Sequence, residues 1–274
     1  MEAIRTEMLD REKLTAWLSH YTKAVEPKRV AVIMAGNIPL VGFFDLLCVV
    51  AAGHECHLKP SSKDSVLMRY VVEQLRDIEP NIAICDYSAD ATYDMAIATG
   101  GDDANAYFRA HFAGTRTLLR GSRHSVAVLS GNESAEELQA LHNDITAYSG
   151  LGCRSVAMLF VPRGYVPDFK RGEAENAKLR RNIQAMRATL MIESAEFWDA
   201  GAFIMRRGED FAQSLAVVTL REYLDIWEVK KWIEENKEHI QCIVSRSDIP
   251  FGRAQYPALM DYADGVDTMR FLLD

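Results

Sequence analysis

The sequence predicts an α/β protein, with a doubly wound parallel sheet in its first half and a second α/β unit after it. Three observations carry this expectation. Residues 29–35 form a continuous apolar run of the kind that a strand buried on both faces requires. Strand-like and helix-period segments then alternate as β-α-β-α-β up to residue 101. With 274 residues, 49% of them hydrophobic, the chain favours two cores over one.

Residues 1–23 mix acids and bases, with Leu14, Leu18 and Tyr21 at amphipathic spacing and no signal-peptide core. The run 29–35 breaks at Gly36, Asn37, Ile38 and Pro39, a turn at the carboxyl edge of the strand. A helix is predicted over 43–52, stopped by Gly53, and a short strand over 56–59 ends before Pro60. The helix expected over 64–78 turns Val66, Tyr70, Val71, Leu75 and Ile78 towards the sheet. Strands follow over 81–85 and 95–98, the second running into Thr99, Gly100 and Gly101, and a helix covers 102–112.

After a strand over 125–129, Ser134 and Glu137 form a capping box. The helix it opens carries Leu138, Leu141, Ile145 and Tyr148 on one face, and Gly150 closes it. A buried strand over 156–161 stops at Pro162, and a long helix over 176–192 faces Leu179, Ile183, Met186 and Leu190 inward. Strands over 202–205 and 214–220, a helix over 226–239 and a strand over 240–244 complete the pattern. The seam is expected near Ser130 and Gly131, which divides the chain into a dinucleotide-binding domain over 1–130 and a catalytic domain over 131–274.

Composition excludes several classes. A formal charge of -8 leaves no basic stripe for nucleic acid or an anionic membrane, so a phosphate-bearing ligand must rely on local lysines, arginines or backbone amides. No apolar run reaches the roughly 18 residues of a membrane span, and the chain reads as cytoplasmic. The five cysteines show no C-x-x-C spacing, which fits a reducing compartment rather than a disulfide framework. His54 and His57 flank Cys56, but alternate residues of one strand without a further cluster make a poor metal site, and no metal is expected. His124 and His142 read as surface or helix-face residues.

The candidate nucleophile is Cys153, in the stretch Tyr148, Ser149, Gly150, Leu151, Gly152, Cys153, Arg154. The glycines let the backbone approach a substrate, and the neighbouring Arg154 favours the thiolate, the reactive form. The competing reading is a small core residue at a helix-to-strand turn.

The order of four motifs, Gly36 to Pro39, Lys59 to Ser62, Ala98 to Gly101 and Gly150 to Cys153, resembles the aldehyde dehydrogenase superfamily. Within it the chain resembles the LuxC-type acyl-CoA reductases, through Gly36 to Phe44, Gly150 to Cys153 and Phe251 to Gln255. The resemblance implies an aldehyde dehydrogenase-like fold, a Rossmann-type nucleotide-binding domain plus an α/β catalytic domain.

By resemblance, Asn37 donates its side-chain amide to the developing oxyanion, with the Cys153 N–H as second donor, an effect worth about 3 kcal/mol in a transition state. The alternative is a turn asparagine bonding its own backbone before Pro39. Lys59 is implied to hold the adenosine ribose of a dinucleotide, and otherwise is a solvated loop lysine. Ser61 and Ser62 continue that motif. Many NAD-using relatives have a glutamate where Ser62 stands, and its absence removes repulsion of a 2'-phosphate, so NADPH is the expected cofactor, with NADH as the alternative. Thr99, Gly100 and Gly101 precede a helix N-terminus, where backbone amides suit a pyrophosphate, but Asp102 and Asp103 behind them equally suit a simple capped turn. Glu133 stands near the position of the general base in hydrolytic relatives, in a different local pattern, and is a site residue of unassigned role.

The activity this implies is reduction of a fatty acyl-CoA to an aldehyde through a Cys153 thioester and hydride transfer from NADPH. The alternatives are a CoA-acylating aldehyde dehydrogenase, and a non-catalytic nucleotide-binding or assembly module of the same fold. The resembling family carries a longer stretch before the strand at Arg29, so a truncated chain is an open reading. The tail from Arg253 to Asp274, with Tyr256, Leu259, Met260, Tyr262, Phe271 and Leu272 among acids, is expected to dock on its own chain or on a partner subunit of a homo-oligomer.

Overall fold

The computed structural model describes residues 1–24 and 26–274. The chain divides into two compact units, Met1–Ser122 with Pro257–Asp274, and Arg123–Tyr256.

In the first unit, α1 (Arg11–Leu18) precedes β1 (Arg29–Ile33), α2 (Phe43–Ala52), β2 (Glu55–Lys59), α3 (Ser65–Ile78), β3 (Ile84–Asp86), β4 (Met95–Thr99), α4 (Asp102–His111) and β5 (Arg116–Arg120). The five strands form one parallel sheet in the order β3-β2-β1-β4-β5. Central β1 is apolar on both faces because helices and loops cover both. Val30 and Val32 join the α2 side with Leu46, Val49 and Met68, while Ala31 and Ile33 pack with Ala96, Ala98 and Phe112 on the other. Each fully buried side chain of this size contributes about 1.5–3 kcal/mol.

Several expectations shift here. β3 begins at Ile84, later than the expected 81, and β5 was not expected at all, because Arg116 and Arg120 interrupt its apolar run. Arg120 is nevertheless buried: it pairs with Asp45 at 2.9 Å and donates to Thr268 Oγ1 and the Ala263 carbonyl at 2.8 Å each. Helix α3 buries Met68 and Val72, with Val71 and Leu75 beside them, and leaves Val66, Tyr70 and Ile78 exposed. The true inward stripe is the 68, 72, 75 row. The outward apolar residues had blurred its phase.

In the second unit, β6 (His124–Val128), α5 (Ala135–Thr146), β7 (Val156–Pro162), α6 (Ala177–Ile192), β8 (Trp198–Asp199), β9 (Ile204–Arg207), β10 (Val217–Tyr223), α7 (Ile226–Glu235) and β11 (Ile240–Val244) follow. Their sheet runs β11-β6-β7-β10-β9-β8, with only the β8–β9 pair antiparallel among the pairings described. β6 was placed before the seam at Ser130 and Gly131, yet it pairs with β7 and β11 and lies inside the second unit. The capping box of α5 is present: Ser134 Oγ accepts from Glu137 N while Glu137 accepts from Ser134 N. Leu138, Leu141 and Ile145 are buried as expected, and so are Leu179, Ile183 and Leu190 on α6.

From Pro257 on, the tail belongs to the first unit. Helix α8 (Thr268–Leu273) buries Met269 and Leu272, and Leu259 joins the same core. The Trp17 indole donates to Tyr262 Oη at 3.0 Å, and the His54 ring, itself buried, bonds the Leu272 carbonyl at 2.9 Å.

Candidate active site

The predicted residues fall into two groups, one in each unit. In the first, β1 lies between β2 and β4, with Ile33 opposite Lys59 on one side and Ala98 on the other. The strand order turns back at the β1–β4 pair, the switch point where open α/β sheets bind ligands beyond the carboxyl ends of their strands. Asn37 follows β1, Lys59 ends β2 with Ser61 and Ser62 behind it, and Thr99 ends β4 with Gly100 and Gly101 behind it. The fold therefore gathers all seven on one edge of the sheet.

The loops on that edge are packed against each other. A side chain at Gly36 would overlap Ser61, and its first carbon would lie 3.3 Å from Lys63 Cβ. The Met34 N–H donates to the Lys59 carbonyl at 3.0 Å, and the Leu40 N–H to Asp64 at 2.7 Å. Gly36 is thus packed on Ser61, beside two exposed lysines, Lys59 and Lys63. Lys59 Nζ stands 5.3 Å from the centre of the Tyr87 ring. The positive charge of this end of the edge suits an anionic group. The Thr99–Gly101 end fits one less well, since Gly100 N already donates to the Arg120 carbonyl at 3.1 Å and Asp102 and Asp103 fill the first turn of α4.

In the second unit the cysteine turn differs from its expected form. Helix α5 stops at Thr146, so Tyr148 is off its face. Tyr148, Ser149 and Gly150 all adopt left-handed backbone, with φ of 54°, 58° and 74°. For tyrosine and serine this is uncommon and costs of order 1 kcal/mol or more each, so the surrounding contacts must hold it. Ser149 supplies them. Buried, it donates to Glu175 at 2.8 Å and accepts from Asn176 Nδ2 at 2.7 Å. On the far side, the Cys153 carbonyl accepts from Ser125 Oγ at 2.9 Å, and Ser125 Oγ also meets Cys242 Sγ at 3.0 Å. Cys153 itself is half-buried, whereas Cys48, Cys56 and Cys242 are buried. Burial pushes the Cys56 thiol above its ordinary range. Cys85 is half-buried as well, but burial and then the neighbouring Glu55 push its thiol up, and of the two only Cys153 follows the left-handed turn.

Glu133 folds back on its own turn. Its carboxylate accepts from Ser130 N at 2.6 Å, Ser130 Oγ at 2.8 Å and Gly131 N at 3.2 Å. Tyr165 lies beside it, its hydroxyl pushed up to about 12 by burial and then by the Glu133 charge. With its oxygens so engaged, Glu133 organises the 130–133 turn.

The sequence reading missed Ser125, Ser149, Glu175, Asn176 and Asp144, because their roles are tertiary. Asp144 left one signal, an acid on the inward stripe between Leu141 and Ile145. Asp144 is 1% exposed, and its carboxylate accepts from Gly252 N at 2.6 Å and Ala254 N at 3.1 Å. Burial pushes its pKa up to about 6, against those two bonds.

Glu55, His57 and Cys85 also converge, their ligand atoms all within 4.8 Å of one another. The sequence could not assemble this group, since Cys85 arrives through the β2–β3 register opposite His57. Arg29 Nε donates to His57 Nε2 at 3.4 Å, so a guanidinium already supplies positive charge there. His142, expected on a surface or a helix face, lies on α5, half-buried against Phe169 and Phe203.

Comparison with known proteins extends the picture. The family model described as "Acyl-CoA reductase (LuxC)" matches residues 2–250. Long-chain acyl-protein thioester reductases of Photorhabdus laumondii and Vibrio harveyi are 22% and 23% identical, each aligned over 88% of this chain and 54% of the relative. The chain thus spans about half the length of the curated relatives it matches. Among solved structures, an aldehyde dehydrogenase of Bacillus cereus in complex with NAD+ has a TM-score of 0.60 at 15% identity, covering 86% of this chain and 61% of that one. Aldehyde dehydrogenase 21 of Physcomitrella patens, in complex with succinate, has a TM-score of 0.58 at 16% identity, covering 80% and 56%. The fold is that of the aldehyde dehydrogenases, and the chain belongs to the LuxC family of acyl-CoA reductases.

Proposed function

We propose that this chain carries the reductive half of fatty acyl thioester metabolism, with Cys153 as the nucleophile. The observation that carries the reading is the Cys153 turn: three successive left-handed residues, pinned by Ser149 and Ser125 on either side, before a half-buried thiol. Strain of this kind persists where the surroundings over-determine it, and it clusters at reactive sites.

In this reading the Cys153 thiolate attacks the acyl carbonyl carbon and the oxyanion takes a hydrogen bond from the Cys153 N–H, while the role of Asn37 as a second donor rests on the family resemblance alone. The carbon–sulfur bond to the donor breaks, the donor thiolate leaves, and the acyl group stays on Cys153. A nicotinamide cofactor, when bound, would supply the hydride that reduces this thioester. Loss of the Cys153 thiolate from the resulting hemithioacetal then frees the aldehyde and restores the enzyme. Lys59, Ser61 and Ser62 would hold the cofactor's adenosine end, and Thr99, Gly100 and Gly101 line the same edge. Ser62 in place of a ribose-binding carboxylate favours NADPH over NADH. No deacylating water is needed, so Glu133 is free to serve as a turn organiser.

The relatives named long-chain acyl-protein thioester reductases favour a second form of the substrate, an acyl group delivered as a protein thioester. The attack is the same, and only the leaving thiolate differs. Intact-protein mass spectrometry after incubation with a long-chain acyl-CoA, beside Cys153→Ala, tests the reading. An acyl-sized gain lost in the variant, and discharged by NADPH, is expected. A folded chain that gains no mass from acyl-CoA or from an acyl-protein donor would overturn it in favour of a binding or assembly module.

A further inference from the structure

The motif Phe251 to Gln255 is left unexplained by this chemistry, although it is one of the stretches that carry the family resemblance. Its backbone is held from two directions. From α5, Asp144 takes the Gly252 N–H on one carboxylate oxygen and the Ala254 N–H on the other. Gly252 has a φ of 82° and packs so closely on Ala140, one turn earlier on α5, that an added carbon would stand 3.0 Å from the Ala140 side chain. From the cysteine turn, Arg154 Nη1 donates to the Ala254 carbonyl over a long 3.4 Å. Ala254 is buried, and the exposed Arg253 between the two anchored amides sets its guanidinium 4.5 Å from the centre of the Tyr256 ring.

We infer that Asp144 is a positioning residue for Cys153: it fixes the 252–254 backbone, and through the Ala254 carbonyl and Arg154 it fixes the turn that presents the thiol. The inference rests on the proposed reading of Cys153 as nucleophile. The physical reason for an acid at this place is its acceptor count. Two neighbouring N–H groups that leave a helix-packed loop need two acceptors on one short side chain, and a carboxylate provides both. An asparagine of the same shape offers one acceptor and one NH2. Its NH2 would face a backbone N–H, so one of the two anchors must open. A bond lost here leaves a buried N–H unpaired, which the loop relieves by moving away from α5.

The test uses Asp144→Asn, Arg154→Met and the double variant in the full chain. Two rates at Cys153 are read for each: single-turnover acylation followed by mass, and alkylation by iodoacetamide, each normalised to folded protein by circular dichroism. Asp144→Asn is expected to slow both rates about tenfold per folded molecule, with the apparent KM for the acyl donor within twofold of wild type. Arg154→Met is expected to slow them similarly, and the double variant to be no slower than the worse single one, because both break one chain of contacts. Wild-type rates in folded Asp144→Asn, or losses that multiply in the double variant, would overturn the inference. If Asp144→Asn does not fold, Gly252→Ala, which loosens the same loop against Ala140, takes its place with the same expectations. Should wild type resist acylation while alkylation still depends on Asp144, the proposed function fails and the positioning role stands. Acylation that ignores Asp144 sinks the positioning role alone.

Discussion

Ser149 Oγ donates to Glu175 at 2.8 Å and accepts from Asn176 Nδ2 at 2.7 Å, so one buried hydroxyl ties the left-handed cysteine turn to the start of α6. Replacing it removes both bonds, while the exposed Glu175 and Asn176 turn to water. Ser149→Ala is expected to cost about 0.5–1.5 kcal/mol of stability and to slow alkylation of Cys153, because the strained backbone loses what holds it. Thermal unfolding and iodoacetamide kinetics check this, and a variant with wild-type values in both would show that the turn is held by other contacts.

The close contact of Gly36 with Ser61 makes a sharper test of the proposed cofactor edge. Gly36→Ala puts a carbon where Ser61 stands. NADPH affinity, measured by fluorescence titration, is expected to fall about tenfold, a loss of the size that overpacking produces. Adding Ser61→Gly makes room for that carbon and is expected to recover most of the loss. No recovery would mean that the glycine serves something other than this packing.

Ser62→Glu addresses the choice of cofactor. A carboxylate at this position would accept from ribose hydroxyls and repel a 2'-phosphate. The ratio of NADPH to NADH affinity is expected to drop by tenfold or more, in line with the ~1.4 kcal/mol that a tenfold change represents. An unchanged ratio would remove Ser62 from the cofactor site.

A buried pair gives a stability prediction. Arg120 and Asp45 are both nearly fully buried, and the arginine also bonds Thr268 and the Ala263 carbonyl. Arg120→Met leaves the Asp45 charge buried alone, at an expected cost of about 3–5 kcal/mol. Arg120→Met with Asp45→Leu is expected to return much of that. Chemical denaturation of the three variants decides it, and a double variant as weak as the single one would count against the unpaired-charge explanation.

Acid sensitivity follows from Glu137, whose carboxyl the Arg246 guanidinium pulls down to about 2. The Arg246 contacts are 2.7 and 2.6 Å, on an exposed surface. A carboxyl whose pKa is lower folded than unfolded adds stability above its unfolded value of 4.5, and that stability is lost as pH falls towards 2. Solvent screening keeps the contribution small. Arg246→Ala is therefore expected to lower stability slightly at pH 7 and to change little near pH 2, as read by urea unfolding at both values.

The sequence by itself determined the alternation of elements, and hence the parallel sheets. An apolar run such as 29–33 satisfies its backbone only between other strands, and the capping box at Ser134 and Glu137 needs only four consecutive residues to form. It also determined the order of Asn37, Lys59 and Thr99, each at a strand end, so that pairing β1 with β2 and β4 sufficed to bring them to one edge. Tertiary structure decided what local pattern cannot encode. The stripe of α3 that faces inward depends on which surface of the sheet receives it, and the burial of Arg120 depends on Asp45 arriving from α2. The left-handed run at Tyr148 and Ser149 runs against local preference and exists because Glu175 and Asn176, far along the chain, hold it. Asp144 likewise acquires its partners only when the loop around Gly252 folds back onto α5. Interactions within a few residues are written in the sequence, and those that offset strain or bury charge are fixed only once distant segments meet.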